Sequence, residues 1–370
     1  MFVLTDSTVG EQFLHDGDVC NLGAINLGNF VEGVRGAYTL DEERLRHVVR
    51  IATRALDNVV DMADFGVERV VKTALKNRRI GLGIFGLADL LCRLRLGYNT
   101  RAGRGLAERA MRVINEESDA ESRRLCAEKG PFPNIELSIF AEPGRQRRNA
   151  ATTTIAPTGT SSQIADASGG CEPHFALAFD MKNVLDGKTT LRHVNADFEE
   201  DLRAEIENEE VRERIVREVH RSGTLSTVPA EWGLPEWMRH VYVTAGDIAA
   251  EDHVLMQAAL QRHVENSISK TCNLPYEATH DDVLKIYLMA HEHGLKGLTI
   301  YRSGSRNVQV LETIADGEAR LARADAEMLS NTSKGSSTLS NRICPDCKSA
   351  LHASEGCWSC PSCGYALCGR

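Results

Sequence analysis

The chain has 370 residues, of which 42% are hydrophobic and 26% are charged, and its formal net charge at pH 7 is −9. This composition is typical of a globular protein with room for one large domain and a small appendage. The negative charge argues against a general binder of nucleic-acid backbones, so we expect no nucleic-acid partner. No apolar stretch is long enough to span a membrane, and the N-terminus lacks the regions of a signal peptide. We therefore expect a cytoplasmic protein without a membrane partner.

The first third of the chain predicts one strand and two long helices. Residues 19–27 alternate loosely between apolar and polar types, which indicates a short buried strand and a loop. Cys20 in this run can be explained as a small buried hydrophobe. Apolar residues recur near a 3.6-residue period over 41–64, which predicts an amphipathic helix. A second helical stretch runs from Arg101 to Lys129 and ends at a Gly-Pro pair.

Residues 81–86 read GLGIFG and match the G-x-G-x-x-G pattern of dinucleotide-binding loops. Such a loop needs a β-branched strand directly before the glycines and a βαβ pattern around them. Basic residues precede this match, and no βαβ pattern follows it. We therefore reject a dinucleotide site and predict that the glycines allow close packing of the backbone.

The stretch 148–179 carries the strongest prediction of a binding site. Residues 152–155 read TTTI, and their β-branched side chains favour a strand, which Pro157 ends because proline has no N–H to donate. A helix is expected to open at 163–165, and before it lies a small hydroxyl-rich turn made of Thr158, Gly159, Thr160 and Ser161. A strand, such a turn and a helix start together favour phosphate binding, because amides and hydroxyls can donate to an anion. The alternative is a solvated turn without a ligand.

Two further helices are predicted, over 198–221 and 250–269. The first is heavily charged, as is usual for a solvated face, and we assign it no chemistry. His253 in the second is expected to be a surface or hydrogen-bonded histidine rather than a catalytic one. Residues 298–301 are expected to form a short buried strand that ends in a polar turn.

The last part of the chain changes character. Residues 312–341 carry few large apolar side chains and predict a flexible linker to a cysteine-rich tail, 342–370. Two C-x-x-C knuckles predict a zinc ribbon, with four thiolate ligands supplied by Cys344, Cys347, Cys360 and Cys363. Two local disulfides are the alternative, although a reducing compartment disfavours them. Cys357 forms a competing C-x-x-C with Cys360, so the ligand set has more than one solution.

Four segments of the chain resemble the large subunits of ribonucleotide reductases. They read CNLGAINL, RRIGLGIFGLADLL, APTGTSSQIADASGGCEP and SKTCNLP, and they are spread along most of the chain, from Cys20 to Pro275. The resemblance implies an α/β fold, namely the C-terminal portion of the ten-stranded reductase barrel over 1–311, followed by the zinc-ribbon tail. It also implies an oxidoreductase that converts ribonucleoside di- or triphosphates to deoxyribonucleotides for DNA synthesis, by thiyl-radical chemistry.

The resemblance assigns roles that the patterns alone leave open. Glu11 would be the general base on the ribose hydroxyl, and Cys20 would be one of the two cysteines that reduce the substrate. The other cysteine lies on an earlier barrel strand, which an N-terminal portion or chain would supply. The turn after Pro157 would hold the substrate phosphates. Cys357 and Cys368 would form the mobile pair that re-reduces the active site, served by a thioredoxin- or glutaredoxin-type reductant, unless one of them is a spare ribbon thiol.

The chain departs from the family in two places. Val9 stands where the family has the cysteine that forms the thiyl radical. Thr299 and Ile300 stand where two adjacent tyrosines relay the radical from a diiron subunit, and neither oxidises readily. The second departure fits the class that takes its radical from adenosylcobalamin.

We therefore interpret the chain as the C-terminal portion of a cobalamin-dependent reductase that needs an N-terminal partner. One alternative is a catalytically degenerate pseudo-subunit that binds only nucleotide or a partner, which Val9 favours. Another is a zinc-ribbon interaction module, which only the tail supports.

Overall fold

The computed structural model describes residues 10–184, 189–305, 347, 352–354, 357–359 and 366–368. The chain divides into two compact units, Met1–Gly317 and Glu318–Arg370. Val9 and the predicted linker over 312–341 lie outside the described residues. Among the described helices, none combines the length and the apolar character that a membrane crossing requires.

The first unit contains helices and short strands, with up to four helices between successive strands. In chain order they are β1 (Asn21–Asn26), β2 (Val31–Glu32), β3 (Thr39–Leu40), α1 (Glu42–Met62), α2 (Glu68–Asn77), β4 (Ile80–Phe85), α3 (Leu87–Arg93), α4 (Arg101–Lys129), α5 (Gly159–Ile164), β5 (Ala178–Val184), β6 (Thr189–Val194), α6 (Ala196–Glu205), α7 (Glu209–Ser222), α8 (Glu236–Val241), α9 (Ala250–Gln261), β7 (Thr271–Leu274), α10 (His280–Glu292) and β8 (Thr299–Arg302). The second unit contains β9 (His352–Ser354), β10 (Cys357–Ser359) and β11 (Ala366–Cys368).

The strands that position the candidate site form one parallel array. β1 pairs in parallel with β4 along its whole length. A bridge from Leu82 to Thr153 extends the array to segment 152–155, and a bridge from Ile155 to Ile268 extends it to the chain just before β7. β7 then pairs in parallel with β8. Within the described residues the array is open, with β1 and β8 at its two edges, and it does not close into a barrel.

α1 and α4 confirm the two long helices predicted from the sequence. Asp41 caps α1 by accepting a hydrogen bond from the N–H of Arg44 at 3.0 Å. Thr100 caps α4 in the same way through the N–H of Gly103, also at 3.0 Å. Each cap satisfies an amide that the first helical turn leaves unpaired. The apolar faces of both helices join the main core around β1 and β4, where burial of apolar surface stabilises the array.

β4 passes so close to segment 152–155 that no side chain fits between them. A Cβ atom at Gly83 would lie 2.2 Å from the carbonyl oxygen of Thr154, and one at Gly81 would lie 2.5 Å from the Cγ2 atom of Thr154. The first glycines of the G-x-G-x-x-G match therefore lie within a strand and not in a phosphate-binding loop after it. The predicted close packing of the backbone is confirmed.

The charged stretch over 198–221 is helical as predicted, but it is divided into two helices. α6 ends at Glu205, and Asn208 accepts a hydrogen bond from the N–H of Val211 at 3.2 Å to begin α7. The Asn208 side chain thus caps a second helix inside the charged stretch. Segment 152–155 also differs from the expected regular strand, because it contributes single bridges rather than a continuous ladder.

α9 stops at Gln261, whereas the sequence predicted that the helix would continue to 269. The Gln261 side-chain amide donates to the carbonyl oxygens of Val264 and Asn266, both at 3.0 Å. These bonds stabilise a turn, after which the chain runs in extended form beside segment 152–155. The strand expected near 298–301 is present as β8, and its residues are half-buried rather than buried.

The described part of the second unit is a three-stranded antiparallel sheet in the order β11-β10-β9. Cys357 on β10 lies opposite Cys368 on β11 and opposite Ser354 on β9. The predicted zinc ligands Cys344, Cys360 and Cys363 lie outside the described residues, while Cys347 lies in a turn.

Candidate active site

The predicted phosphate-binding turn directly follows segment 152–155, which lies next to β4 in the array. Helix α5 begins at Gly159, with Thr158 at the N-terminal cap position. The N–H of Ser162 donates to the carbonyl oxygen of Thr158 at 2.9 Å. The helix thus begins inside the turn and ends at Ile164, so the expected helix start at 163–165 is wrong. Thr158 adopts a left-handed φ of +53°, which turns the chain into the helix earlier than the sequence pattern indicated.

The turn is held at its base and open at its tip. The Thr158 hydroxyl accepts a hydrogen bond from the N–H of Gly170 at 2.8 Å, which joins the start of the turn to the chain 12 residues further on. Gly159, Thr160 and Ser161 are exposed. The N–H groups of these three residues have no partner inside the helix, because they precede its first hydrogen bond. The tip therefore presents three amides and two hydroxyls.

Residues 10–12 are half-buried and contact the array. The carbonyl oxygen of Glu11 accepts hydrogen bonds from the Thr154 hydroxyl at 2.9 Å and from the N–H of Ser267 at 3.1 Å. The Glu11 Oε2 atom and the Gln12 Oε1 atom are buried without a hydrogen-bond partner among the described residues, whereas the Gln12 amide group interacts with the Cys20 thiol. Such atoms cost free energy, so they are typical of a site that a ligand or a further protein surface completes.

Cys20 lies just before β1, next to the close approach of β4. Its Sγ atom is 3.0 Å from the position of a Cβ atom at Gly81. Burial raises the pKa of the Cys20 thiol to about 12, and the carboxylates of Asp18 and Glu11 add to the rise, whereas Arg79 and a hydrogen bond from the Gln12 side chain oppose it. Cys20 therefore stays protonated at neutral pH and can donate hydrogen more readily than act as a thiolate.

Thr154 and Gln12 belong to this site and were missed by the sequence analysis. The Thr154 hydroxyl lies 2.9 Å from the carbonyl oxygens of both Glu11 and Ser267, between which its one proton is shared, and so joins three segments. The sequence predicted only a strand for 152–155 and gave Gln12 no role. Strand alternation indicates which side chains share a face, but it does not show which distant segment crosses that face.

The cysteines predicted for metal binding and redox exchange belong to the second unit. Cys347 is the predicted zinc ligand that the structure describes, and it is exposed. Within the described residues, no group of three or more histidine, cysteine or carboxylate side chains is arranged to hold a metal ion. Cys357 and Cys368 are direct partners in the register of β10 and β11. Opposed residues of an antiparallel pair have Cα atoms about 4.5–5.5 Å apart, a separation that a disulfide can span.

Comparison with known proteins identifies related sequences. A family model for the barrel domain of ribonucleotide reductase matches residues 9–147 and 142–301. The vitamin B12-dependent ribonucleoside-diphosphate reductase of Thermoplasma acidophilum is 42% identical over 303 residues, which are 82% of this chain and 38% of that protein. The protein of the same name from Mycobacterium tuberculosis is 41% identical over 318 residues, which are 86% of this chain and 44% of that protein. The chain thus spans less than half the length of these curated relatives.

A solved structure supports the same fold. The Actinobacillus ureae class Id ribonucleotide reductase alpha subunit matches with a TM-score of 0.62 over 80% of this chain and 52% of that chain. The sequence identity is 20%, so this similarity concerns the fold alone. The open parallel array therefore resembles part of a larger domain.

Proposed function

Because this chain belongs to the ribonucleotide reductase barrel family, we propose that it works as the C-terminal part of a vitamin B12-dependent enzyme that reduces ribonucleotides to 2′-deoxyribonucleotides. The main support is the meeting of Glu11, Gln12 and Cys20 inside an open array. The unpaired buried atoms of Glu11 and Gln12 fit a site that is finished by substrate and by a further protein surface. Relatives with 41% and 42% identity carry the name of this activity.

Glu11 and Cys20 have separate roles in the proposed reaction. Replacing the ribose 2′-hydroxyl with hydrogen releases water and converts two thiols into one disulfide. The Glu11 carboxylate accepts a proton from a ribose hydroxyl, for which its unpaired oxygen is available. Cys20 supplies one thiol, which burial keeps protonated by raising its pKa. The N-terminal portion supplies the second thiol.

The turn at 158–161 is proposed to bind the substrate phosphates. Its exposed amides and the hydroxyls of Thr160 and Ser161 can donate to phosphate oxygens, and hydrogen bonds to charged oxygens are worth about 1.5–3 kcal/mol each. A Cβ atom at Gly159 would meet nothing within 4 Å. The fold itself therefore leaves room for a side chain at Gly159, and only a bound ligand would be obstructed by one.

Adenosylcobalamin is the cofactor that the relatives' names imply for this proposal. When bound, it would supply the radical that starts the reaction. The unpaired atoms of Glu11 and Gln12 would line one wall of such a site. The remaining walls are assigned to the N-terminal portion.

The proposed N-terminal partner would dock beside β1. Among the described strands β1 has one unpaired edge, and such an edge is a template for another strand. α1 also exposes the apolar side chains of Ile51, Val59 and Met62, which are 58%, 47% and 84% exposed. A groove of about 510 Å³ lies between α1 and β1, with Ala52, Leu56 and Ile25 in its lining. Exposed apolar surface next to a free strand edge is typical of a protein interface.

The tail is proposed to combine a zinc ribbon with a redox pair. Cys344, Cys347, Cys360 and Cys363 remain the predicted zinc ligands, because paired C-x-x-C knuckles suit tetrahedral zinc. The opposed positions of Cys357 and Cys368 support their assignment as a pair that exchanges with the active-site disulfide. A thioredoxin- or glutaredoxin-type protein would then reduce this pair.

A second candidate function is a pseudo-subunit that binds nucleotide without reducing it. Val9 at the radical position favours this candidate, because a valine side chain cannot form a thiyl radical. The two functions share the phosphate-binding turn and differ in whether an N-terminal partner restores the reaction.

Nucleotide titration of the chain, reconstituted with the N-terminal portion of the T. acidophilum relative, tests the proposed site. The double variant Thr160→Ala/Ser161→Ala should bind ADP about tenfold or more weakly, because about 1.4 kcal/mol corresponds to one decade of affinity. Thr39→Ala/Thr73→Ala removes two hydroxyls elsewhere on the first unit and should bind like the parent. If both double variants bind ADP equally well, the turn does not hold the phosphates.

A further inference from the structure

A buried lysine lies behind the phosphate-binding turn. The Lys270 side chain is 0% exposed, and its Nζ atom is 2.6 Å from Oε2 of Glu172. The same nitrogen is 3.0 Å from Nδ1 of His253 and 3.2 Å from the carbonyl oxygen of Thr271. The ring of Tyr98 lies 5.6 Å away. The ammonium group thus has an acceptor for each of its three protons, as a buried charge requires.

His253 serves this cluster as a neutral acceptor. Its Nε2 atom lies 3.3 Å from the carbonyl oxygen of Ala245, so Nε2 carries the proton and Nδ1 accepts from Lys270. Burial and the charge of Lys270 lower the pKa of His253 to about 3. The histidine therefore stays neutral, and the charges in the cluster are those of Lys270 and Glu172.

Glu172 connects the lysine to the segment that carries the turn. Its second oxygen, Oε1, accepts a hydrogen bond from the N–H of Thr271 at 2.6 Å, so both carboxylate oxygens bind residues at the start of β7. Two residues before Glu172, the N–H of Gly170 donates to the Thr158 hydroxyl at 2.8 Å. The base of the turn is therefore joined to β7 through a short and continuous set of contacts.

The backbone of this connection has little freedom. Gly170 has a φ of +48°, and a Cβ atom there would lie 3.0 Å from the carbonyl oxygen of Ala156. Ser168 is fixed separately, because its N–H and hydroxyl donate to Oδ2 of Asp89 at 2.8 and 3.0 Å. Segment 168–172 is thus held by α3 at one end and by β7 at the other. The attachment to β7 consists of the two bonds of Glu172, one from Lys270 and one from the N–H of Thr271.

We propose that Lys270 is a positioning residue for the phosphate-binding turn, which it fixes through Glu172 and Gly170. Lys270 does not contact the substrate, since its side chain is fully enclosed. Its effect on binding rests on the proposed function of the turn at 158–161. Its effect on the geometry of the turn does not, and can be measured without any nucleotide.

Amide hydrogen exchange of the full, unliganded chain tests the positioning role. Lys270→Met keeps a long unbranched side chain and removes the charge. Exchange of the hydrogen-bonded amides within 157–172, such as those of Ser162 and Gly170, should become at least tenfold faster than in the parent, while α1 and α4 keep their protection. Arg35→Met is the matched control, because Arg35 forms a partly buried pair with Asp201 at 2.6 Å and its described ion pairs are all with α6. Each variant is measured at the same interval below its own unfolding temperature.

Glu172→Gln is the second variant, and it decides the test if Lys270→Met does not fold. It keeps an acceptor for the N–H of Thr271 but leaves the enclosed Lys270 without its carboxylate partner, so exchange over 157–172 should again rise clearly above that in Arg35→Met. Exchange in this segment that is no faster than in Arg35→Met would overturn the positioning role.

An ADP titration of the reconstituted complex separates the two proposals. Affinity at least tenfold lower in Lys270→Met than in the parent supports both of them. Equal affinity in the two proteins would contradict the positioning role in binding. If the parent itself does not bind ADP, the proposed function fails, and the exchange measurement still decides whether Lys270 fixes the turn.

Discussion

The parallel array has an inner seam, which is the contact between β4 and segment 152–155, and an outer edge at β1. The two regions differ in how closely they are packed. Between β4 and segment 152–155 even a methyl group has no space, because a Cβ atom at Gly83 would lie 2.2 Å from the Thr154 carbonyl oxygen. At β1, a groove of about 510 Å³ remains open beside α1, and Met62 is 84% exposed. One chain thus packs closely in one place and leaves apolar surface uncovered in another. We attribute the open edge to an N-terminal partner rather than to a poorly packed fold.

A substitution at the seam should have the largest effect. Gly83→Ala places a methyl group against backbone that cannot move without separating two members of the array. We expect a loss of about 3 kcal/mol or more in the free energy of unfolding, or no folded protein, because overpacking in a rigid core is severe. Denaturant unfolding measures this change.

The matched control is Gly105→Ala on the exposed side of α4, where a Cβ atom would meet nothing within 4 Å. This variant should gain about 0.5–1 kcal/mol, because alanine is the better helix former. Equal stability of the two alanine variants would show that the seam is not closely packed.

Removal of the Glu11 carboxylate should lower activity strongly and change stability little. Glu11→Ala should lower the rate of deoxynucleotide formation in the reconstituted enzyme by about 10²–10⁴, the usual contribution of general acid–base catalysis. The free energy of unfolding of the chain should change by less than about 1 kcal/mol, since Oε2 of Glu11 has no partner to lose.

Glu265→Ala provides the contrast with a paired carboxylate. Glu265 binds Arg147 at 2.5 Å and accepts from the N–H of Thr152 at 2.7 Å. Its removal leaves the fully buried Arg147 without that partner and should cost about 3–5 kcal/mol. A cost for Glu11→Ala as large as that for Glu265→Ala would contradict the assignment of Glu11 to an unfinished site.

Substitutions at the outer edge should weaken association with the N-terminal portion without lowering the stability of the chain. Val59→Lys/Met62→Lys places two charges on the exposed face of α1, so unfolding of the isolated chain should change by no more than about 0.5 kcal/mol. Binding to the N-terminal portion of the T. acidophilum relative should weaken at least tenfold. Leu137→Lys/Ile139→Lys, at two exposed apolar residues outside α1, should leave the affinity unchanged. Equal affinity of both double variants would place the interface elsewhere.

The sequence predicted those parts of the structure that depend on local pattern. The helices α1 and α4 follow from apolar periodicity and from their end signals, and the close packing of Gly81 and Gly83 follows from the absence of side chains. The break at Asn208 was not predicted, because a cap can interrupt a helical pattern that is otherwise continuous.

The candidate site depends on contacts between distant parts of the chain. Thr154 and Glu11 are 143 residues apart in sequence, and Lys270 and Glu172 are 98 residues apart. No periodicity or turn signal connects such pairs. Family resemblance indicated Glu11 and Cys20 as site residues, but only the fold shows Gln12 and Thr154 beside them and Lys270 behind the turn.

The decisive measurement is deoxynucleotide formation by this chain alone and by this chain combined with an N-terminal reductase portion. The purified chain, supplied with ribonucleotide, adenosylcobalamin and a dithiol, should form no deoxynucleotide, because the family resemblance predicts that Val9 stands in place of the radical cysteine and because the array of described strands is open. Addition of the N-terminal portion of the T. acidophilum relative, extended through its own radical cysteine, should restore product formation. Product from the chain alone, or none from the combined parts, would contradict the account of this chain as the C-terminal part of a reductase.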